Sequence, residues 1–257
     1  MSYTATTSGF PCWYELGTSD LDGAAAFYES VLGWTVVSAG MPELDYRLGN
    51  APDGFGIAGL MDAEGAPSAW RFYLEVADCD AAAATVTETG GSIIMPPADI
   101  PGTGRFAVAV DPQGAVFALL APAPMGGEAP SVGAYAPALL GHGAWHELST
   151  PDIEGSLAFY GNLVGWTKGV TMDMGADGSY QLVQAQGTDV GGMMVMGSEQ
   201  GTAWLSYFTV DSTAGAVERI KAGGGSVLHG PAEVPGGAFI AIAVDPQGAA
   251  FGVTGPQ

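Results

Sequence analysis

The chain has 257 residues, room for two domains of the usual ~100–150. Its net charge is −21, from 27 acidic and six basic residues, so the acidity reflects missing bases. That argues against nucleic acid and against an anionic membrane surface as partners, since both need clustered Lys and Arg.

No apolar run reaches the ~18–20 residues of a membrane span. Met1–Thr7 carries neither the basic nor the apolar stretch of a secretory signal, so a cytoplasmic location is expected. Cys12 and Cys79 are the only cysteines and are expected to be buried free thiols.

In chain order, Trp13–Thr18 reads as a strand. A helix follows, with Asp20 at its first turn, Leu21, Ala25, Tyr28 and Leu32 on its apolar face, and Gly33 at its end. Short strands are predicted near Trp34–Ala39, Leu44–Gly49 and Gly56–Met61. The order then restarts: strand Trp70–Val76, helix Asp78–Glu88, and strands at Ser92–Met95, Phe106–Val110 and Ala115–Leu120. Asp111-Pro112-Gln113-Gly114 has the residues of a tight turn.

The second half repeats the first. Trp13–Thr35 and Trp145–Thr167 are identical at 12 of 23 positions, and Phe106–Leu120 matches Ile240–Thr254. The second helix repeats the apolar stripe with Ile153, Leu157, Tyr160 and Val164. Between the copies lies a stretch rich in Pro, Ala and Gly, expected to have little structure of its own. The expected division is one domain over 8–121, a linker over 122–142 and a second domain over 143–256. The fold class is α+β, with tandem βαβββ modules, four in all.

The elements Asp20–Trp34 (D-L-x-x-A-x-x-F-Y-x-x-x-L-G-W) and Val110–Gly114 (V-D-P-Q-G), with their repeats at Asp152–Trp166 and Val244–Gly248, resemble the vicinal oxygen chelate family. This is the glyoxalase/bleomycin-resistance/dioxygenase superfamily. The resemblance implies two domains, each an open cup of β-sheet with a small-molecule ligand inside. It also implies a divalent metal held by His, Gln or Glu at fixed strand positions. Those positions fall on Trp13, Arg71 and Ala118 in copy one, and on Trp145, Leu205 and Gly252 in copy two. None is a ligand type, so no cofactor is expected; a divalent metal held by other residues is the alternative.

The site candidates follow from strand alternation and charge. Glu15 and Glu147 lie two residues past Trp13 and Trp145, on the same face. They are the candidate catalytic groups, open to metal binding, proton transfer, ligand contact or simple pairing with a nearby Arg or Tyr. Trp13, Trp70, Trp145 and Trp204 are candidate ligand platforms or packing residues. Arg47, Arg71 and Arg105 are candidate anchors for an anionic ligand; their counterparts are Gln181, Leu205 and Phe239. His142, His146 and His229 are too scattered for a ligand cluster, and His146 is expected to be a satisfied core or interface histidine. Three functions stay open: a metal-independent small-molecule binding protein, an enzyme using a noncanonical metal or metal-free acid/base work at Glu15 or Glu147, and a scaffold with vestigial cups. The partners expected are a small molecule and at most a second copy, as monomer or homodimer.

Overall fold

The computed structural model describes residues 9–42, 44–123, 133–175, 178–195 and 201–257. The stretch Met1–Thr7 and the middle of the linker, 124–132, lie outside them.

Four βαβββ modules follow one another. The first is β1 (Pro11–Thr18), α1 (Leu21–Leu32), β2 (Thr35–Ser38), β3 (Arg47–Asn50) and β4 (Gly56–Asp62). The second is β5 (Ala69–Glu75), α2 (Cys79–Glu88), β6 (Ser92–Ile100), β7 (Gly104–Val110) and β8 (Val116–Pro122). Copy two repeats the order with β9 (Gly143–Ser149), α3 (Ile153–Val164), β10 (Thr167–Asp173), β11 (Ser179–Ala185) and β12 (Thr188–Met194). It ends with β13 (Ala203–Thr209), α4 (Thr213–Ala222), β14 (Ser226–Glu233), β15 (Phe239–Val244) and β16 (Ala250–Gly255). The class is α+β: two eight-stranded mixed sheets, in the orders β2-β3-β4-β1-β5-β8-β7-β6 and β10-β11-β12-β9-β13-β16-β15-β14. No described helix is long and apolar enough to cross a membrane.

Local chemistry explains the helix ends. Asp20, Asp78, Asp152 and Ser212 each accept a hydrogen bond from the backbone N–H three residues on, capping α1 to α4 in turn. Gly33 and Gly165 close α1 and α3 at φ 71° and 75°, a left-handed turn that a side chain would strain.

Two expectations shift. β6 runs on to Ile100 through Pro96 and Pro97, past the predicted end at Met95. It is an edge strand with register breaks around the prolines, the setting in which a missing N–H is tolerated. The buried stripe of α1 is Ala24, Phe27, Tyr28, Val31 and Leu32; Leu21 and Ala25 are half-buried. The stripe moves because α1 packs on α4 as well as on strands, with Phe27 seated against Gly223 and Gly225 just past α4.

The chain forms two compact units, each drawing on both copies. One takes its described residues from Met1–Cys12, Phe72–Ser131 and His146–Trp204; we call it the Tyr160 unit. The other takes them from Trp13–Arg71, Val132–Trp145 and Leu205–Gln257; we call it the Tyr28 unit.

The same relay is built in each. In the Tyr28 unit, the Trp70 indole donates to the Tyr28 hydroxyl (2.8 Å), which donates to Asp245 Oδ2 (2.9 Å). Asp245 Oδ1 accepts from the backbone of Gln247 and Ala249, which fixes the D-P-Q-G turn. In the Tyr160 unit, Trp204 donates to Tyr160 (2.8 Å) and Tyr160 to Asp111 (3.1 Å), with Asp111 holding Gln113 and Ala115. Both tyrosines are fully buried.

Trp34 and Trp166 then donate to the carbonyls of Gly141 and Gly9, both at 2.7 Å, and fasten the approaches to β9 and β1. The linker end is therefore folded, not loose: Ala134 and His142 are buried and Tyr135 bridges to Gly143.

One asymmetry remains within the relays. Ser156 donates to Gln113 Oε1 at 3.3 Å, whereas its counterpart Ala24 cannot, and Gln247 Oε1 is buried without a partner.

Tyr28→Phe removes the donor to Asp245 and the acceptor for Trp70. We expect a loss of about 1–3 kcal/mol in chemical denaturation. An unchanged midpoint would show that the relay contributes nothing.

Candidate functional site

In the Tyr28 unit, strand alternation on β1 buries Tyr14 and Leu16 completely and turns Trp13 and Glu15 the other way. Glu15 pairs in register with Gly59 of β4. The Tyr46 ring lies over Gly59, where any side chain would run into the phenol. Tyr46 thereby donates to Glu15 Oε2 at 3.1 Å, and the Trp13 indole donates to the Tyr46 oxygen at 3.2 Å. Arg71 places Nε and Nη2 on Glu15 Oε1, both at 2.8 Å. The carboxylate side chain is 10% exposed and the guanidinium side chain 28%. Burial, and then the nearby Glu15 charge, push the Tyr46 phenol well up, so it stays a donor.

The Tyr160 unit carries the matching pair. Tyr180 lies over Gly192, which pairs in register with Glu147, and donates to Glu147 Oε2 at 3.0 Å. The second copy has Leu205 where the first has Arg71.

The remaining candidates separate from these clusters. Trp70 and Trp204 serve the buried tyrosine relays, packed against Tyr28 and Phe208 in one unit and Tyr160 and Phe72 in the other. Arg47, one residue from Tyr46, turns the opposite way onto Asp22 of α1 and onto Asp45. Gln181, its counterpart, is buried and bonds to Thr171 and to backbone carbonyls of Gly169 and Leu182. Arg105 pairs with Asp80 and Asp99 at the surface. Trp145 is half-buried on β9. Of the predicted set, Trp13, Glu15 and Arg71 come together. Tyr46 and Tyr180 escaped notice in the sequence; the signal available was a tyrosine kept at the 134-residue offset.

The histidines are spread apart. His142 is fully buried and bonds to Gly133 O (2.8 Å) and Asp53 Oδ2 (3.1 Å); His229 lies in β14. His146 is fully buried beside Phe72, with Nδ1 donating to Val190 O at 3.0 Å. No group of three His, Cys, Asp or Glu side chains suited to a metal occurs among the described residues. Cys12 is half-buried and Cys79 buried, both as free thiols.

Two predictions follow from this geometry. Arg71→Leu leaves the Glu15 carboxylate inside without its guanidinium and is expected to cost about 1–3 kcal/mol, discounted from a fully buried pair for the arginine's exposure. Glu15→Gln in the same chain should recover part of that loss; strictly additive effects in a denaturation cycle would deny the coupling. Burial holds the His146 imidazole down to about 4, against an ordinary 6.5. Its folded pKa is depressed, so its contribution is complete above pH 6.5 and lost on acidification toward pH 4. That loss amounts to ~3 kcal/mol. His146→Leu should flatten the stability profile across that window, and an unchanged slope would remove His146 as its source.

Comparison with known proteins agrees with this architecture. The family model described as the Glyoxalase/Bleomycin resistance protein/Dioxygenase superfamily matches residues 12–119 and 140–253. The chain is 33% identical to "Putative glyoxylase CFP32" of Mycobacterium bovis, over 96% of this chain and 95% of that one. It is 31% identical to "Anthracycline biosynthesis protein DauV" of Streptomyces sp. (strain C5), over 97% and 94%. Among solved structures, the Mn(II)-bound glyoxalase from Novosphingobium aromaticivorans superimposes with a TM-score of 0.67 at 17% identity, covering 97% of this chain and 82% of that one. The 2,3-dioxygenase LapB from Pseudomonas sp. KL28 gives 0.66 at 15% identity, covering 97% and 93%. Such identities speak to the fold alone, but the family model spans both repeats, and the chain belongs to the glyoxalase/bleomycin resistance protein/dioxygenase superfamily.

Proposed function

We propose that this chain is a metal-independent binding protein for a small organic molecule. The observation that carries the reading is the state of Glu15. One oxygen is held by Arg71 and the other by Tyr46, so both are engaged and the guanidinium charge beside them opposes a metal cation. The family's metal would fall on Trp13, Arg71 and Ala118, or on Trp145, Leu205 and Gly252, and these residues do not fit it. What the first copy offers instead is an indole, a phenol and a neutralised ion pair, which suits a flat, partly polar ligand. One relative's name ties it to anthracycline biosynthesis, and a planar polycyclic ligand matches that chemistry. In this reading Arg71 meets the ligand through its remaining N–H groups.

A second reading has one specific support. The Tyr180–Glu147 hydrogen bond joins a phenol donor to a carboxylate, a pair able to shuttle a proton, and one relative carries a glyoxylase name. It makes the chain a metal-free lyase or isomerase. A scaffold with vestigial cups predicts no ligand uptake at all.

The test is elemental analysis after dialysis against Ni, Zn, Fe, Mn and Co in turn, followed by tryptophan fluorescence with a hydroxyanthraquinone probe. We expect substoichiometric metal and saturable quenching that Trp13→Phe weakens. One retained ion per chain or per domain overturns the metal-independent reading, and absence of quenching overturns the planar ligand.

A further inference from the structure

The hydrogen bonds around Glu15 all run in one direction. The Trp13 indole donates to Tyr46, Tyr46 donates to Glu15 Oε2, and Arg71 donates from Nε and Nη2 to Glu15 Oε1. A guanidinium carries five N–H groups. Among the described residues, the bonds of Arg71 engage the edge formed by Nε and Nη2 and leave the edge formed by Nη1 and the outer N–H of Nη2. What remains uncommitted on Arg71 is therefore donor capacity on a planar edge. The Arg71 side chain is 28% exposed, against 10% for Glu15.

The sheet face that carries Glu15 is flat and largely apolar. Glu15, Gly59, Leu48 and Val37 are successive cross-strand partners from β1 through β4 and β3 to β2, so they share one face. Tyr46 lies over Gly59, and the Trp13 ring passes beside Gly56 on the same strand. Leu48 is half-buried and Val37 is 44% exposed. A ligand on this face meets rings and aliphatic side chains together with a cationic edge. Hydrogen-bond acceptors on a flat apolar body answer both.

We propose that the outer edge of Arg71 anchors a carboxylate carried on a planar aromatic ligand. The N–H groups of that edge point the same way, and the two oxygens of a carboxylate match them as a charge-assisted fork. Glu15 holds the guanidinium from its other edge and presets the fork, so it is a positioning residue. This rests on the small-molecule reading above and narrows it to acids. Amines and amidines would bring donors to an edge that itself only donates. The net charge of −21 opposes an anion at long range, so the attraction has to be local.

The test is calorimetric titration of the full-length protein at pH 7 in about 0.15 M NaCl, where the long-range field is screened within ~8 Å. The probes share one ring system: 2-naphthoate, 2-naphthamide and 2-naphthamidine. One equivalent of naphthoate should bind about tenfold more tightly than the amide, the effect of one charge-assisted contact. The amidine should bind no more tightly than the amide. Arg71→Lys keeps the charge and loses the fork, and should weaken naphthoate about tenfold while changing the amide little. Arg105→Gln removes an equal charge from a surface pair and should leave naphthoate binding as it is. Amide or amidine binding as tight as naphthoate, full affinity in Arg71→Lys, an equal loss in Arg105→Gln, or no naphthoate binding overturns the proposal. The wild-type ranking of the three probes decides it even where a variant fails to fold. If hydroxyanthraquinone quenching survives while naphthoate fails, only this inference falls; if both fail, the planar-ligand reading falls with it.

Discussion

A buried carboxylate has to be satisfied, and this fold satisfies two of them with phenols from distant helices. Asp245 and Asp111 sit in tight turns, each binding the turn's own backbone through one oxygen and a tyrosine through the other. Both residues are buried, and burial pushes their carboxyls above the ordinary value. Removing either tyrosine strands a carboxylate in an apolar interior, where an unmet acceptor costs more than the bond itself contributes. The aromatic packing around Tyr28 and Tyr160 is arranged about this requirement. Trp70 and Trp204 complete it by donating to the phenol oxygens.

That arrangement explains why two motifs far apart in sequence recur together. The F-Y of the helix and the D-P-Q-G of the turn form one structural unit, the helix of one copy answering the turn of the other. Sequence periodicity shows each motif and the module order, because strands and capped helices are local. It does not show which helix face meets which partner. Hence Leu21 and Ala25 read as core while Ala24 and Phe27 carry the packing, fixed by α4 almost two hundred residues later. Trp70 and Trp204 read as platforms for the same reason: alternation says that a strand has two faces, not which one a helix covers. Tyr46 and Tyr180 were hidden because each precedes or opens a short strand with no periodicity of its own. Only their positions over Gly59 and Gly192 reveal them.

The site inherits its character from that scaffold. Glycine in β4 and in β12 lets a ring lie flat on the sheet, and the ring's hydroxyl then aims at a glutamate on the adjacent strand. An arginine neutralises the first carboxylate from within the chain, and the second copy has Leu205 at the matching sequence position. Divergence after duplication thus acts on the charge partner and leaves the acceptor and its phenol in place.

The two relays differ most in how far apart their partners lie along the chain. Tyr160 reaches back 49 residues to Asp111, whereas Tyr28 reaches forward 217 to Asp245. During synthesis the Tyr160 relay can close once Trp204 has left the ribosome. Tyr28 has to wait for Asp245, 217 residues later. Through that interval the α1 face with Phe27 and Tyr28 is exposed and adhesive. A chain that stops between Trp204 and Asp245 would therefore have one relay closed and the other open.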